Sequence, residues 1–372
     1  MTKRTLHIAL FSASLLFLSV SCQKEHPQSA DNRISFRVYT PLDIATKAEV
    51  TDESIKNTDV SSVYVYESRQ SLFGTSGSLL TPEKTNEREY SGRWLPAGAP
   101  SWGENTWNQD YQFWGWAYSP AGTGGLTISD AGKTVTVTQP STYPSNGEYV
   151  DYLLSYIHSE PALSNSSDKR KSIPLVFEHA LVMVDIYLYR ALSMTDNPSI
   201  NQSVDLEVNE LTLGKIYNEG RISCNSHKYN STNQQPNVWS VQSKSGSVDY
   251  SIKNIQDDAI KTRDDAIASA PAMRFISIPV TNSDMLPNER YKLKVSYTVT
   301  VSNTDTGVRE TNSYTEVFQL SAVTASWQSG HRVKYELCIS SGIELTGSIA
   351  DWIDVEYVEG VVLPNTNNTL SK

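Results

Sequence analysis

The 372-residue chain is poor in cysteine and in charge. Its three cysteines, Cys22, Cys224 and Cys338, are too few for a disulfide-dense scaffold. Charged residues make up 19% of the chain, and acidic groups outnumber basic ones 41 to 31, for a formal charge of −10. That balance argues against nucleic acid or an anionic membrane surface as a partner. Catalytic signatures are missing as well. There is no His-Glu-x-x-His, no Cys-x-x-Cys, no Gly-x-Ser-x-Gly elbow and no phosphate-binding Gly-x-x-x-x-Gly-Lys loop. His26, His158, His179, His227 and His331 are scattered singly, which offers no metal-ligand set. The pairs Asp257-Asp258 and Asp264-Asp265 lack the alternating ligands and glycine of a calcium loop. The expectation is a protein that is not an enzyme and carries no cofactor and no metal.

Only one stretch is long and mainly apolar, Ile8 to Val20, and it follows Lys3 and Arg4. It is too short for a permanent membrane span and suits the apolar region of a signal peptide. A small residue, Ser21, then precedes Cys22, which resembles a bacterial lipobox. The resemblance implies removal of residues 1–21 and lipidation of the Cys22 thiol, with a plainly secreted protein as the alternative. Gln23-Lys24-Glu25 resembles the short acidic export signal of Bacteroidetes surface lipoproteins. Loss of Lys3 and Arg4 takes the formal charge from −10 to −12. Cys224 and Cys338 then remain as a disulfide or as free thiols.

The mature sequence is rich in Tyr (20) and Trp (8), a profile that favours strands over helices. Residues 22–33 read as a flexible tether. Ile34, Phe36 and Val38 alternate with polar neighbours and define a first half-buried strand, Ile34–Thr40, closed by Pro41. Residues 67–110 read mostly as loop because glycine and proline interrupt them. The run Ala180–Tyr189, apolar on both faces apart from Asp185, fits a central strand or a short buried helix. From Tyr291 to Val301 the alternation is unbroken. A polar gap at 191–203 places a domain boundary, so the expected architecture is all-β, with two tandem β-sandwich domains over 34–195 and 196–372.

Several motifs recur in the order found in a known family. They are Cys22 in its lipobox, Ala45-Thr-Lys-Ala48, Phe113-Trp-Gly-Trp-Ala-Tyr-Ser-Pro120, Phe177-Glu-His-Ala-Leu181, Trp327-Gln-Ser-Gly-His-Arg-Val-Lys-Tyr335 and Ile349-Ala-Asp-Trp352. Together they resemble the fimbrillins of Bacteroidetes, lipoprotein subunits of type V pili built from two transthyretin-like β-sandwiches. The resemblance implies that a protease of trypsin-like specificity removes the first strand at the cell surface. A C-terminal strand of the next subunit then fills the vacated groove. Lys47 is the expected cut. Arg37 lies inside the strand, and a cut at Arg33 would free the lipid without opening the groove. Val355, Tyr357, Val361 and Leu363 are the expected donor side chains. The partners implied are other pilus subunits, in a homo- or hetero-polymer, and a host protein or glycan, with the membrane reached only through the lipid. A second reading is a monomeric surface lipoprotein that binds glycan or host protein through Trp102 and Trp107. Stalk, tip and anchor roles all remain open.

Overall fold

The computed structural model describes residues 33–39, 62–86, 89–102, 108–118, 125–144, 151–163, 172–224, 239–256, 260, 262–286, 290–324, 326–340 and 342–351. Its elements begin with β1 (Phe36–Tyr39), β2 (Ser62–Glu67), β3 (Ser78–Asn86), β4 (Glu89–Pro96), β5 (Tyr111–Tyr118) and β6 (Gly125–Ser129). β7 (Thr134–Thr138), β8 (Tyr152–Ser155), β9 (His158–Glu160), β10 (Ile173–His179), β11 (Val182–Arg190) and β12 (Gln202–Ile216) follow. Next come β13 (Glu219–Cys224), β14 (Trp239–Ser245), β15 (Val248–Ile255), α1 (Arg263–Ala268), β16 (Met273–Ser277), β17 (Val280–Thr281) and α2 (Asn282–Met285). The described chain ends with β18 (Lys292–Asn303), β19 (Val308–Gln319), β20 (Ser326–Trp327), β21 (His331–Ile339) and β22 (Ile343–Asp351). The fold is all-β. Among the described residues no helix is long and apolar enough to cross a membrane.

Alternation makes the first sheet two-faced, and pairing closes it. Its order is β2-β3-β4-β1-β10-β8-β5-β9, and a further pairing of β2 with β5 joins the circuit on itself. One set of alternating side chains (Phe36, Val38, Val63, Val65, Phe113, Ile173, Leu175 and Phe177) fills the enclosed core. The opposite set, including Tyr66, Trp114, Trp116, Tyr152 and Leu154, packs on Val135, Val137 and Ile222 of a second sheet, ordered β14-β13-β7-β6. Closure leaves the β2 and β5 edges paired rather than open.

The largest core lies between two further sheets, β16-β11-β21-β22 and β15-β12-β18-β19. Val184, Ile186, Phe275, Tyr335 and Leu337 come from the first, and Leu206, Leu211, Leu293, Val295 and Tyr297 from the second. Two sheets draw strands from both sides of residue 195: β11 pairs with β16 and β21, and β7 pairs with β13. The apolar run around Asp185 is a central strand, parallel to β21. The phase shift at Glu210 is a β-bulge between Val208 and Glu210.

The segment read as loop, 67–110, contains the β3–β4 hairpin. Pro82, Gly92 and Pro96 obscure its alternation, and register shifts beside Lys84 absorb the irregularity. In the region of the acidic pairs, α1 covers Arg263–Ala268.

Candidate functional site

Ile34, Phe36 and Val38 place the first strand within the closed sheet. Ile34 and Phe36 are wholly buried and Val38 is 2% exposed. β1 runs parallel to β10, with Phe36 opposite Ile173 and Tyr39 opposite Val176. On its other side Phe36 pairs with Trp94 of β4 in antiparallel sense. The Ile34 amide donates to the Pro100 carbonyl at 2.8 Å, and the Ile173 amide donates to the Ser35 carbonyl at 2.8 Å. Backbone bonds therefore hold the strand from both sides, while its inner face supplies part of the core.

The aromatic lining is specific. The Phe36 ring meets Phe113 edge-on at 5.5 Å and Phe73 at 6.2 Å. Trp102, half-buried, lies edge-on to Tyr111 at 5.7 Å and to Phe113 at 6.3 Å, so it packs against the same core. The Arg33 guanidinium donates to Glu83 at 2.6 Å, and Arg93 contacts the other Glu83 oxygen at 3.3 Å. Glu83 is the member of this site that sequence reasoning missed, since nothing local marks a residue 50 positions from Arg33 as its partner. Arg37 is exposed on the outer face of β1. On β10, burial pushes the Glu178 carboxyl above its ordinary value, against the Tyr156 hydroxyl that donates to it. Cys22, Lys47, Trp107, Val355, Tyr357, Val361 and Leu363 lie outside the described residues. Cys338 is a free, half-buried thiol, pushed up by burial and then by Glu344.

Among the described residues, the motifs that begin at Phe113, Phe177 and Trp327 serve packing. A Cβ on Gly115 would lie 2.5 Å from the Tyr64 carbonyl oxygen, so only glycine lets β5 close against β2 between the buried Trp114 and Trp116. The Trp327 indole donates to the Tyr335 hydroxyl at 2.8 Å, and the Gly330 amide, at φ +72°, donates to the Leu181 carbonyl. The Phe177–Leu181 and Trp327–Tyr335 motifs thus meet. His179 ends β10 buried, with Nδ1 2.7 Å from Asp151.

A family model described as fimbrillin-like matches residues 46–352. The chain belongs to the fimbrillin-like family. The matched range starts after β1 and stops before Val355, so it contains the body but neither the first strand nor the tail. The fold is similar to that of a candidate cell adhesion protein from Bacteroides uniformis, at 13% identity and TM-score 0.43, covering 87% of this chain and 100% of that one. A candidate cell adhesion protein from Bacteroides ovatus is similar at 12% identity and TM-score 0.43, with coverage of 88% and 99%. A candidate adhesin from Bacteroides thetaiotaomicron is similar at 10% identity and TM-score 0.38, with coverage of 87% and 97%. No curated protein matches.

Proposed function

We propose that this chain is a structural and adhesive subunit of a cell-surface pilus, exported as a lipoprotein through Cys22 and assembled by replacement of its first strand. Family membership supports the surface and pilus role. The observation that carries the assembly step is the position of β1: buried on one face, bonded on both edges, and continuous in the chain with residues 40–61, where a cut would leave it held only by non-covalent contacts.

The cut falls best at Lys47. Arg33 is tied to Glu83 and bridges Ser101, and Arg37 sits within a paired strand, a conformation that resists a protease needing extended, unpaired backbone. Burial of Ile34, Phe36 and Val38 stabilises the closed sheet by about 5–9 kcal/mol on transfer scales. Domains of this kind have a net stability of about 5–15 kcal/mol. Loss of β1 therefore leaves an acceptor that gains greatly from any strand able to replace it. A donor strand with Val355, Tyr357, Val361 and Leu363 supplies comparable side chains. The contact joins unlike surfaces, so it propagates instead of closing.

The test compares trypsin-treated protein carrying Cys22→Ser with the same protein truncated before Asp354, by light scattering. Growth with the tail and none without it is the expected result, both proteins being cut alike. Growth that persists without the tail refutes donation by 354–372. A cut that leaves the tailed protein monomeric refutes the stalk role.

A further inference from the structure

We infer that β19 is a docking edge for a second copy of this chain, which pairs with it strand to strand, antiparallel, about a two-fold axis at Tyr314. The contact is lateral, uses neither the first strand nor the tail, and does not depend on the assembly reading.

β19 ends the β15-β12-β18-β19 sheet and, at 12 residues, is the longest edge strand among the described residues. Hydroxyl pairs fasten it to β18: Ser296 with Thr315 at 3.0 Å, Thr298 with Ser313 at 3.1 Å and Thr300 with Thr311 at 3.1 Å. Its far side is bare, and every residue from Val308 to Thr315 is exposed. Devices that blunt an edge are missing. β19 carries no proline and no lysine, and its register with β18 runs without a bulge from Val308 opposite Asn303 to Gln319 opposite Lys292.

The pairing shows which backbone groups are free. The Leu320 amide donates to the Tyr291 carbonyl at 3.2 Å, and the Thr304 amide donates to the Asn201 carbonyl at 3.0 Å. In antiparallel ladders bonding alternates, so odd-numbered residues of β18 bond β19 and even-numbered residues of β19 bond back. Arg309, Thr311, Ser313, Thr315, Val317 and Gln319 therefore turn their N–H and C=O groups outward, with no strand beside them among the described residues.

Complementarity selects the partner and the register. A symmetric pair centred on Ser313 would set Glu310 opposite Glu316 on both sides of the axis, which is destabilising. Centred on Tyr314, the pair instead sets Ser313 opposite Thr315, Thr311 opposite Val317 and Arg309 opposite Gln319, so every outward-turned residue bonds one in the other copy. On the other face Asn312 then lies opposite Glu316 and Glu310 opposite Phe318, leaving the two carboxylates only diagonal to each other.

The side chains agree with this register. Tyr314, 43% exposed, stacks on the buried Tyr297 at 5.1 Å, and at the axis it meets Tyr314 of the second copy, which extends the stack. Glu316 is already fixed by the Tyr297 hydroxyl at 3.0 Å and the Ile343 amide at 3.1 Å, so it presents an oriented acceptor to the Asn312 amide of the second copy. Val317, 56% exposed, gains cover from the Thr311 methyl group.

The test is sedimentation velocity of the uncleaved mature chain carrying Cys22→Ser, from dilute to concentrated solution, where strand replacement does not contribute. A monomer–dimer equilibrium is expected, and because the chain carries −10 it should tighten as salt rises. Ser313→Pro removes an outward amide that β18 does not use and should abolish the dimer at an unchanged thermal midpoint. Tyr314→Lys sets two ammonium groups together at the axis and should abolish it as well, a second reading of the edge that leaves the backbone intact. Asn312→Arg places a cation opposite Glu316 and should tighten the dimer by about threefold or more, whereas Thr311→Arg, opposite Val317, should not. A monomer at every concentration, or a dimer indifferent to both Ser313→Pro and Tyr314→Lys, would overturn self-pairing. A dimer that Asn312→Arg fails to tighten would overturn the register.

Discussion

Phe36→Ala tests whether the first strand is a load on the fold or an ornament. The ring is wholly buried and touches Phe113 and Phe73. Removing such a ring costs about 3–5 kcal/mol, the lost transfer energy plus the cavity left behind. The β1 backbone bonds remain, so the loss is of packing alone. Equilibrium urea unfolding followed by tryptophan fluorescence reads it well, because Trp94 and Trp102 line the same core. With a urea dependence of about 2 kcal/mol per molar, the midpoint should fall by about 1.5–2.5 M. The same loss weakens retention of the strand after cleavage by a hundredfold or more, at about 1.4 kcal/mol per factor of ten. Arg37→Ala, on the exposed face of the same strand, should cost less than about 1 kcal/mol. A Phe36→Ala loss below about 1 kcal/mol would show that β1 does not hold the closed sheet, and the reasoning would fail.

Three further outcomes follow from the packing. Gly115→Ala pushes a methyl group against the Tyr64 carbonyl and should lower stability by at least about 2 kcal/mol in thermal unfolding. Gly125→Ala meets only Thr138 at an ordinary 3.9 Å and should be nearly neutral; equal effects would refute the closure argument. Asp185→Asn leaves Arg274 and Arg332 facing a neutral amide and should cost about 3–5 kcal/mol by urea unfolding, whereas a change under about 1 kcal/mol would mean the carboxylate does not organise that face. Burial raises the Glu178 pKa in the fold above its ordinary 4.5, so folding favours the protonated form and the stability this group contributes at low pH is lost as pH rises through the folded value. Glu178→Gln should therefore raise the thermal midpoint at pH 7 and match the parent below about pH 4; parallel curves at all pH values would contradict the assignment.

What the sequence revealed depends on how local the signal is. β18 was legible because Leu293, Val295, Tyr297 and Val299 alternate without interruption and all face one core. The inner face of β1 was legible for the same reason. The β3–β4 hairpin was not, since Pro82, Gly92 and Pro96 mask a pairing that tolerates them through register shifts. Closure of β2 on β5 also left no local mark, because it is a contact between strands some fifty residues apart whose only trace is Gly115. Asp185 stood out as the polar exception in an apolar run, but its partners lie 89 and 147 residues away. Such pairings belong to the fold and not to any window of sequence. Of the first strand and its surroundings, Ile34, Phe36 and Val38 were visible in advance, whereas the Glu83 anchor of Arg33 was not.

The most direct test of strand replacement is native mass spectrometry of the Cys22→Ser protein truncated before Asp354, which has no tail of its own to compete. The protein is cut with limiting trypsin and then incubated with a synthetic peptide of residues 351–372. The account predicts a cut after Lys47, release of the fragment containing Ile34–Thr40, and one peptide bound per body. A fragment that stays with the body while the peptide remains free would contradict it.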